Sequence, residues 1–271
     1  MTEMTHTGRV LSIAGSDSSG GAGIQADIKA ISAMGGYAMT AVTAVTVQNT
    51  QGVSEILSVP ADMVAAQMKA VIEDIGVDAI KTGMLGSVEL IETVANTLSE
   101  LAPDVPLIVD PVMVATSGDA LIDEAAETAL REVLLPRATL VTPNIAEAER
   151  LADGKITDLG SQIGAGETLV EMGAMAALVK GGHLKGGVAR DVLISGRGME
   201  LMEREKLDAR NTHGTGCTLA SAIATLVGQG HALSDAAREA GDYVHEAIRR
   251  APDLGQGHGP VDHFWMVRQD G

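Results

Sequence analysis

The only cysteine of the 271-residue chain, Cys217, ends the stretch NTHGTGC over residues 211–217, where a helix of small residues is predicted to begin. The first turn of a helix has free backbone N–H groups and a partial positive charge, and glycines there let an anion reach the backbone. The same charge lowers the pKa of a thiol. The stretch therefore predicts an anion site at Gly214, Thr215 and Gly216 beside an activated Cys217. The alternative is an inert cysteine that only packs.

A second glycine-rich turn, GSDSSGGAGIQAD over residues 15–27, follows a predicted strand. Its second half fits the dinucleotide pattern G-x-G-x-x-A, but no Asp or Glu stands between Ile28 and Ser54, where the ribose-binding acid is required. We interpret the turn as one that approaches a small substrate closely. Asp27 supports this interpretation, because it lies at the edge of the apolar face of the next helix. A plain strand-to-helix turn is the alternative.

The third glycine turn, VKGGHLKGG over residues 179–187, has Lys180 at the end of a buried strand. The phosphate-loop pattern G-x-x-x-x-G-K-[ST] does not occur in the chain. Lys180 is therefore predicted either to contact a phosphate directly or to be an ordinary solvated lysine.

Two further strand ends carry oxygen ligands of the kind that Mg²⁺ prefers. Asn144 and Glu147 follow one predicted strand, and Asp110 ends another. The pattern indicates a metal held directly or through water by Glu147 and Asp110. The alternative is that Asn144 caps a helix and the two acids are solvated.

The elements that must position these residues alternate between strand and helix, which predicts right-handed βαβ units and a mostly parallel sheet. Ligands of such sheets bind beyond the carboxyl ends of the strands, where all the turns above lie. Two extended segments over 36–59 have no helix between them and predict a small flap beside the main sheet. No linker or repeat divides the chain, so residues 1–271 are expected to form one domain.

Composition excludes several classes of protein. The net charge of −17 makes nucleic acid and anionic membrane poor partners, and the four aromatic residues are too few for base stacking. One cysteine excludes an intrachain disulfide. The polar N-terminus has no signal-peptide pattern, and no apolar run reaches 18 residues. We therefore expect a soluble cytoplasmic protein without a membrane partner.

Seven motifs in the same order resemble the hydroxymethylpyrimidine/phosphomethylpyrimidine kinases of thiamine biosynthesis, a branch of the ribokinase superfamily. They are IAGSDSSGGAGIQADIKA, TAVTVQNTQGV, KTGMLGS, VDPVMVATSGD, VTPNIAEAERL, LVKGGH and NTHGTGCT. The resemblance extends from about Val10 to the GHGPVDHF tail. It implies a ribokinase-like α/β fold, in which helices flank a central, mostly parallel sheet with a small strand flap, and a homodimer, which is common in the family.

The resemblance also implies chemistry: ATP and Mg²⁺ would phosphorylate the hydroxymethyl group of the pyrimidine and then its monophosphate. Gln48 would bind the pyrimidine, and Cys217 would act as the base where most of the superfamily has an aspartate. The remaining roles are a pocket lining of Gly15, Ala22, Asp27 and Met84, an anion hole of Gly214, Thr215 and Gly216, a nucleotide-phosphate contact at Lys180 and a Mg²⁺ contact at Glu147.

Two rival functions stay open at this point. Pyridoxal is also a flat nitrogen heterocycle with a hydroxymethyl group, so a pyridoxal kinase is one alternative. A pyrimidine sensor without turnover is the other. The joint presence of Cys217, Glu147 and Lys180 argues against a sensor, which needs none of them.

Overall fold

The computed structural model describes residues 7–114, 118, 121–182 and 187–268. Nine strands and eight α-helices alternate along this part of the chain. The strands are β1 (Arg9–Ser16), β2 (Tyr37–Asn49), β3 (Gly52–Ser58), β4 (Ala79–Thr82), β5 (Leu107–Val109), β6 (Leu140–Val141), β7 (Ala176–Val179), β8 (Val188–Ser195) and β9 (Gly198–Glu205). The helices are α1 (Gly23–Ala33), α2 (Ala61–Asp74), α3 (Val88–Leu101), α4 (Glu124–Ala129), α5 (Ile145–Leu151), α6 (Leu159–Glu171), α7 (Thr215–Gly228) and α8 (Leu233–Arg249).

All nine strands form one sheet in the order β3-β2-β1-β4-β5-β6-β7-β8-β9. The six strands from β2 to β7 in this order run parallel to one another. The outer strands β3, β8 and β9 pair antiparallel. The predicted mostly parallel α/β sheet is therefore confirmed, and the two extended segments over 36–59 form the β2–β3 pair, which we call the flap.

Successive residues of a strand point to opposite faces of the sheet, so the buried strands present two apolar faces. Helices cover both of these faces. In β1, Leu11 and Ile13 pack toward α2 and α3, whereas Val10 packs on the other face with Ile31 of α1 and Ile223 of α7. The central strands are buried on both faces, which explains their continuous apolar runs. No helix in the described ranges is long and apolar enough to cross a membrane.

Two predicted strands are shorter than expected. The sequence patterns over 106–113 and 138–144 predict two strands, but these strands end at Val109 and Val141. Pro111 and Pro143 follow shortly after, and a proline cannot donate a hydrogen bond to a central ladder. The chain therefore leaves the sheet early, and Asp110 and Asn144 lie at the carboxyl edge.

One predicted helix is irregular. The sequence pattern over 123–134 predicts one regular helix, but α4 continues only to Ala129. A π-helical turn over Leu130–Leu134 and a 3₁₀ turn over Leu135–Arg137 follow. Pro136 near the start of the 3₁₀ turn cannot donate an α-helical hydrogen bond, so the regular helix cannot continue through it.

Candidate active site

A cavity of about 730 Å³ opens at the carboxyl edge of the parallel strands. It extends from the flap, past the glycine turn over residues 15–27 and the start of α7, to the β8–β9 hairpin and α8. Eleven residues that the sequence predicts for the site line it: Gly15, Ala22, Gln48, Met84, Asp110, Glu147, Lys180, Gly214, Thr215, Gly216 and Cys217.

The start of α7 forms one wall of the cavity. Gly214 precedes the helix with a φ of 79°, a left-handed conformation that favours glycine. A methyl group on Gly214 would also overlap the carbonyl oxygen of Gly21, so the two glycine turns pack directly against each other. A methyl group on Gly216 would lie 3.3 Å from Lys180 Nζ and 3.6 Å from Asp110 Oδ2. The first turn of α7 thus lies beside the cation of Lys180 and the carboxylate of Asp110.

Cys217 lies in the first turn of α7 and is partly exposed on the cavity wall. The predicted lowering of its pKa is wrong for this structure. Burial raises the pKa of Cys217 to about 12, and the charges of Asp27 and Asp110 also raise it. Lys81 and a backbone hydrogen bond from Gly23 act in the lowering direction but do not compensate. A thiol with this pKa is protonated at neutral pH.

Asp27 does not line the cavity, in contrast to the expectation from the sequence. Its carboxylate is fully buried and accepts hydrogen bonds from Lys81 Nζ at 2.9 and 3.0 Å. The hydroxyl groups of Ser12 and Ser221 donate to the same carboxylate at 2.6 and 2.7 Å. Asp27 therefore lies behind the cavity wall, and Ser221 connects it to α7 one turn after Cys217.

Lys180, Asp110 and Glu147 form a charged cluster beside the start of α7. Lys180 Nζ lies 3.5 Å from Asp110 Oδ1. Burial acts to lower the pKa of Lys180, but the charges of Asp110 and Glu147 outweigh it and raise that pKa. Burial raises the pKa of Glu147 to about 7, with a further contribution from Asp110. The cluster keeps its lysine charged and its two acids close to each other.

The helix-capping alternative for Asn144 is confirmed. Asn144 Oδ1 accepts from the N–H of Glu147 at 3.0 Å, and Glu147 Oε2 accepts from the N–H of Asn144 at 2.8 Å. This capping box fixes the Glu147 side chain at the start of α5. Within the described ranges, no group of three or more His, Cys, Asp or Glu side chains could hold a metal ion. A metal at Asp110 and Glu147 would therefore need further ligands from water or substrate.

Gln48 lies at the end of β2, at the flap end of the cavity. Its backbone N–H donates to Ser18 Oγ, and the Ser18 hydroxyl lies 2.9 Å from its carbonyl oxygen. Thr46 Oγ1 lies 3.2 Å from Gln48 Oε1. Met84 reaches the same region, where a methyl group on Gly15 would lie 2.8 Å from Met84 Cε. The glycine at position 15 thus makes room for Met84.

Asp17 and His213 form a buried pair that was not predicted from the sequence, and this pair joins the glycine turns over residues 15–27 and 211–217. His213 Nε2 lies 2.8 Å from Asp17 Oδ2, and Asp17 also accepts from the backbone N–H groups of Ser19, Gly21 and Ala22. Burial acts to raise the pKa of Asp17, but its bonds to His213 and Ser19 outweigh this and lower it. Asp17 lies in the motif IAGSDSSGGAGIQADIKA and His213 in the motif NTHGTGCT, and these positions were the only sign in the sequence that the two residues belong to the site.

Lys81 was also missed, although it precedes a glycine turn at a strand end as Lys180 does. It is fully buried, and the charges of Asp27, Cys217 and Asp110 raise its pKa despite its burial. Local sequence does not distinguish a lysine that faces a cavity from one that lies beneath it.

The family model for phosphomethylpyrimidine kinase matches residues 17–262, which include every site residue named above except Gly15 and Ser12. The chain belongs to the phosphomethylpyrimidine kinase family.

Relatives within the phosphomethylpyrimidine kinase family are similar over almost the whole chain. The hydroxymethylpyrimidine/phosphomethylpyrimidine kinase of Streptomyces coelicolor is 47% identical, with 95% of each protein covered. A bifunctional thiamine biosynthesis protein of Geobacter sulfurreducens is 50% identical over 95% of this chain, but the chain spans only 52% of that protein.

Among solved structures, an ADP complex of Bacillus subtilis pyridoxal kinase is 36% identical and superposes with a TM-score of 0.89. The match covers 97% of this chain and 100% of that one. The fold of this phosphomethylpyrimidine kinase family member is thus shared with a pyridoxal kinase, although the relative from Streptomyces is more similar in sequence.

Proposed function

We propose that the protein transfers a phosphoryl group from ATP to the hydroxymethyl group of 4-amino-5-hydroxymethyl-2-methylpyrimidine and then to its monophosphate, in thiamine biosynthesis. One observation carries this proposal. In a member of the phosphomethylpyrimidine kinase family, a single cavity joins Gln48 at one end to the start of α7 and Lys180 at the other. A site of this shape brings a ring and a phosphate chain together.

The flap end is the proposed pyrimidine site. The side-chain amide of Gln48 offers one acceptor and two donors, so it matches the donor and acceptor edge of an aminopyrimidine. The small side chain of Ala22 leaves room for a flat ring, and the flexible Met84 side chain, which Gly15 accommodates, would pack on the apolar surface of the ring.

The α7 end is the proposed phosphoryl-transfer site. The backbone N–H groups of Gly214, Thr215 and Gly216 would stabilise the charge on the transferring group, and Lys180 would contact the nucleotide phosphates. Phosphoryl transfer depends chiefly on such positioning and charge neutralisation. The net charge of −17 makes these local positive groups necessary for an anionic nucleotide.

Asp110 and Glu147 fit a Mg²⁺ ion that arrives with ATP. Mg²⁺ usually keeps several waters and takes one or two carboxylates together with substrate phosphates, which agrees with two buried acids and no three-ligand cluster in the described ranges. The ion would neutralise phosphate charge. Burial raises the pKa of Glu147 to about 7 although the charge of Lys180 acts to lower it, and a cation beside the two carboxylates would favour their ionised forms.

Cys217 is proposed to take the proton of the substrate hydroxyl. With a pKa of about 12, only about one thiol in 10⁵ is ionised at pH 7, so this role requires the pKa to fall in the loaded site. Lys81 is the group that already acts on Cys217 in that direction. A general base typically contributes about 10²–10⁴-fold.

The test is ADP release by the purified protein with ATP and Mg²⁺. The acceptors are the pyrimidine alcohol, its monophosphate, pyridoxal, ribose and adenosine. We expect turnover with the first two. The likeness to a pyridoxal kinase makes pyridoxal the informative competitor. Turnover with pyridoxal alone would show that the protein is a pyridoxal kinase instead. Pyrimidine binding without ADP release would indicate a sensor.

We also propose that the protein acts in the cytoplasm as a homodimer, without nucleic acid or membrane partners. The resemblance to its family and the composition support this proposal. Sedimentation of the purified protein at micromolar concentration measures the oligomeric state, and a monomer at that concentration would contradict it.

A further inference from the structure

The segment after α8 touches the tip of the flap. The N–H of His258 donates to the carbonyl oxygen of Thr50 at 2.8 Å, and the N–H of Gly257 donates to Thr50 Oγ1 at 3.1 Å. Gln51 Nε2 donates to Gln256 Oε1 at 3.2 Å. Thr50 and Gln51 form the turn between β2 and β3, so three hydrogen bonds fasten this turn to the segment.

The same segment touches the turn that precedes α7. The N–H of His213 donates to the carbonyl oxygen of Gly259 at 3.1 Å, and the N–H of Gly259 donates to Asn211 Oδ1 at 3.1 Å. Arg210 Nε donates to the carbonyl oxygen of Gly257 at 2.8 Å. Residues 255–260, which we call the strap, therefore connect the flap tip to the turn that begins the anion site.

Glycines permit both contacts. A methyl group on Gly257 would overlap the carbonyl oxygen of Thr50, and one on Gly255 would overlap the Thr50 side chain. A methyl group on Gly259 would overlap the Asn211 amide. Three of the six strap residues are thus glycines at points where another chain segment approaches too closely for a side chain.

The outer strand of the flap, β3, buries little apolar surface. β3 is exposed from Ser54 to Ser58, and Leu57 keeps 69% of its surface exposed. A strand with so little buried apolar surface is weakly held by packing. The polar contacts of the strap and of Ser18, together with the hydrogen bond from Thr46 Oγ1 to the carbonyl oxygen of Ser16, therefore restrain the end of β2 that carries Gln48.

We propose that the strap is a positioning element that sets the distance between Gln48 and the anion site. This inference rests on the proposed function, in which Gln48 binds the ring that receives the phosphoryl group. A displacement of about 1 Å between binding and reacting groups can reduce the rate of an enzyme by about 10²-fold. The strap would thus act on catalysis through Gln48 and not through contact with substrate.

The test compares Gly257→Ala with Gly196→Ala. Gly196 lies in the exposed β8–β9 turn, where a methyl group would meet no atom within 4 Å, so it controls for the chemical change. We expect Gly257→Ala to speed amide hydrogen exchange at residues 48–52 at least tenfold. The KM for the pyrimidine should rise about tenfold or more, while the Kd for ATP stays within twofold of the control.

Unchanged amide exchange at residues 48–52 would refute the inference that the strap restrains the flap tip. Faster exchange with an unchanged pyrimidine KM would refute the inference that this restraint positions Gln48. Exchange needs no substrate, so it still tests the strap if the protein phosphorylates no pyrimidine. If Gly257→Ala does not fold, Thr50→Val removes the hydroxyl that accepts from Gly257 without adding bulk. It should then raise exchange at residues 48–52 by a smaller factor, and no change there would refute the strap.

Discussion

Replacing the buried Lys81 and Asp27 tests most directly whether these two charges act on the pKa of Cys217. Both side chains have no exposed surface, and Lys81 Nζ lies 2.9 Å from Asp27 Oδ1. Lys81→Met leaves a buried carboxylate with only the hydroxyl groups of Ser12 and Ser221. Removing one partner of a buried ion pair costs about 3–5 kcal/mol. At about 2–4 °C per kcal/mol, the melting temperature should fall by roughly 6–20 °C.

The double variant Lys81→Met with Asp27→Asn removes both charges and keeps an amide that can bond to Ser12 and Ser221. Because no unpaired buried charge remains, it should recover more than half of the stability that Lys81→Met loses. Urea unfolding at pH 7.5 measures the free energies. If the losses of the two single variants simply add in the double variant, the two groups do not act as a pair.

The reactivity of Cys217 should move in opposite directions in the two single variants. Lys81 acts to lower the pKa of Cys217, and Asp27 acts to raise it. Iodoacetamide reacts with the thiolate, so Asp27→Asn should be alkylated faster than wild type and Lys81→Met more slowly. The assay follows alkylation from pH 7 to 10 in samples that are at least 95% folded. A general loss of packing would speed both reactions, and that result would refute the electrostatic reasoning.

Four further outcomes are expected. Gln48→Ala should weaken pyrimidine binding by about 1–3 kcal/mol, because polar partners stay unpaired, and leave the Kd for ATP unchanged in calorimetry. Cys217→Ala should reduce kcat by about 10²–10⁴-fold, and a well-folded variant at the wild-type rate would show that the thiol only packs. Glu147→Gln retains a residue suited to the capping box but removes the charge, so the Mg²⁺ concentration for half-maximal rate should rise about tenfold or more without a large change in melting temperature. Burial lowers the pKa of His263 from 6.5 to about 4, so its contribution to stability is present above pH 6.5 and is lost as the pH falls toward 4. Between pH 6.5 and 5, wild type should lose about 2 kcal/mol more than His263→Gln in urea unfolding, and equal losses would contradict that burial effect.

The sequence by itself determined the order and type of nearly all elements. Apolar runs without alternation identify buried parallel strands, and helix patterns between them identify the crossovers, because burial on one or two faces is a local property of the pattern. The motifs at the strand ends also gave the residues of the cavity, since the carboxyl ends of parallel strands meet at one edge. Lys180 and Glu147 were predictable for this reason, whereas Gln48 was predictable only from the resemblance to the kinase family.

Tertiary structure alone decided the charge state of the site and what lies behind its wall. The pKa of Cys217 depends on how much water the fold removes and on Asp27, Asp110 and Lys81, which are distant in sequence. The helix dipole can be read from the local pattern, but it is a small effect beside desolvation. The contact of the strap with Thr50 likewise joins segments more than 200 residues apart. Such long-range contacts leave only glycines as a trace in the sequence, and a glycine does not reveal which segment approaches it.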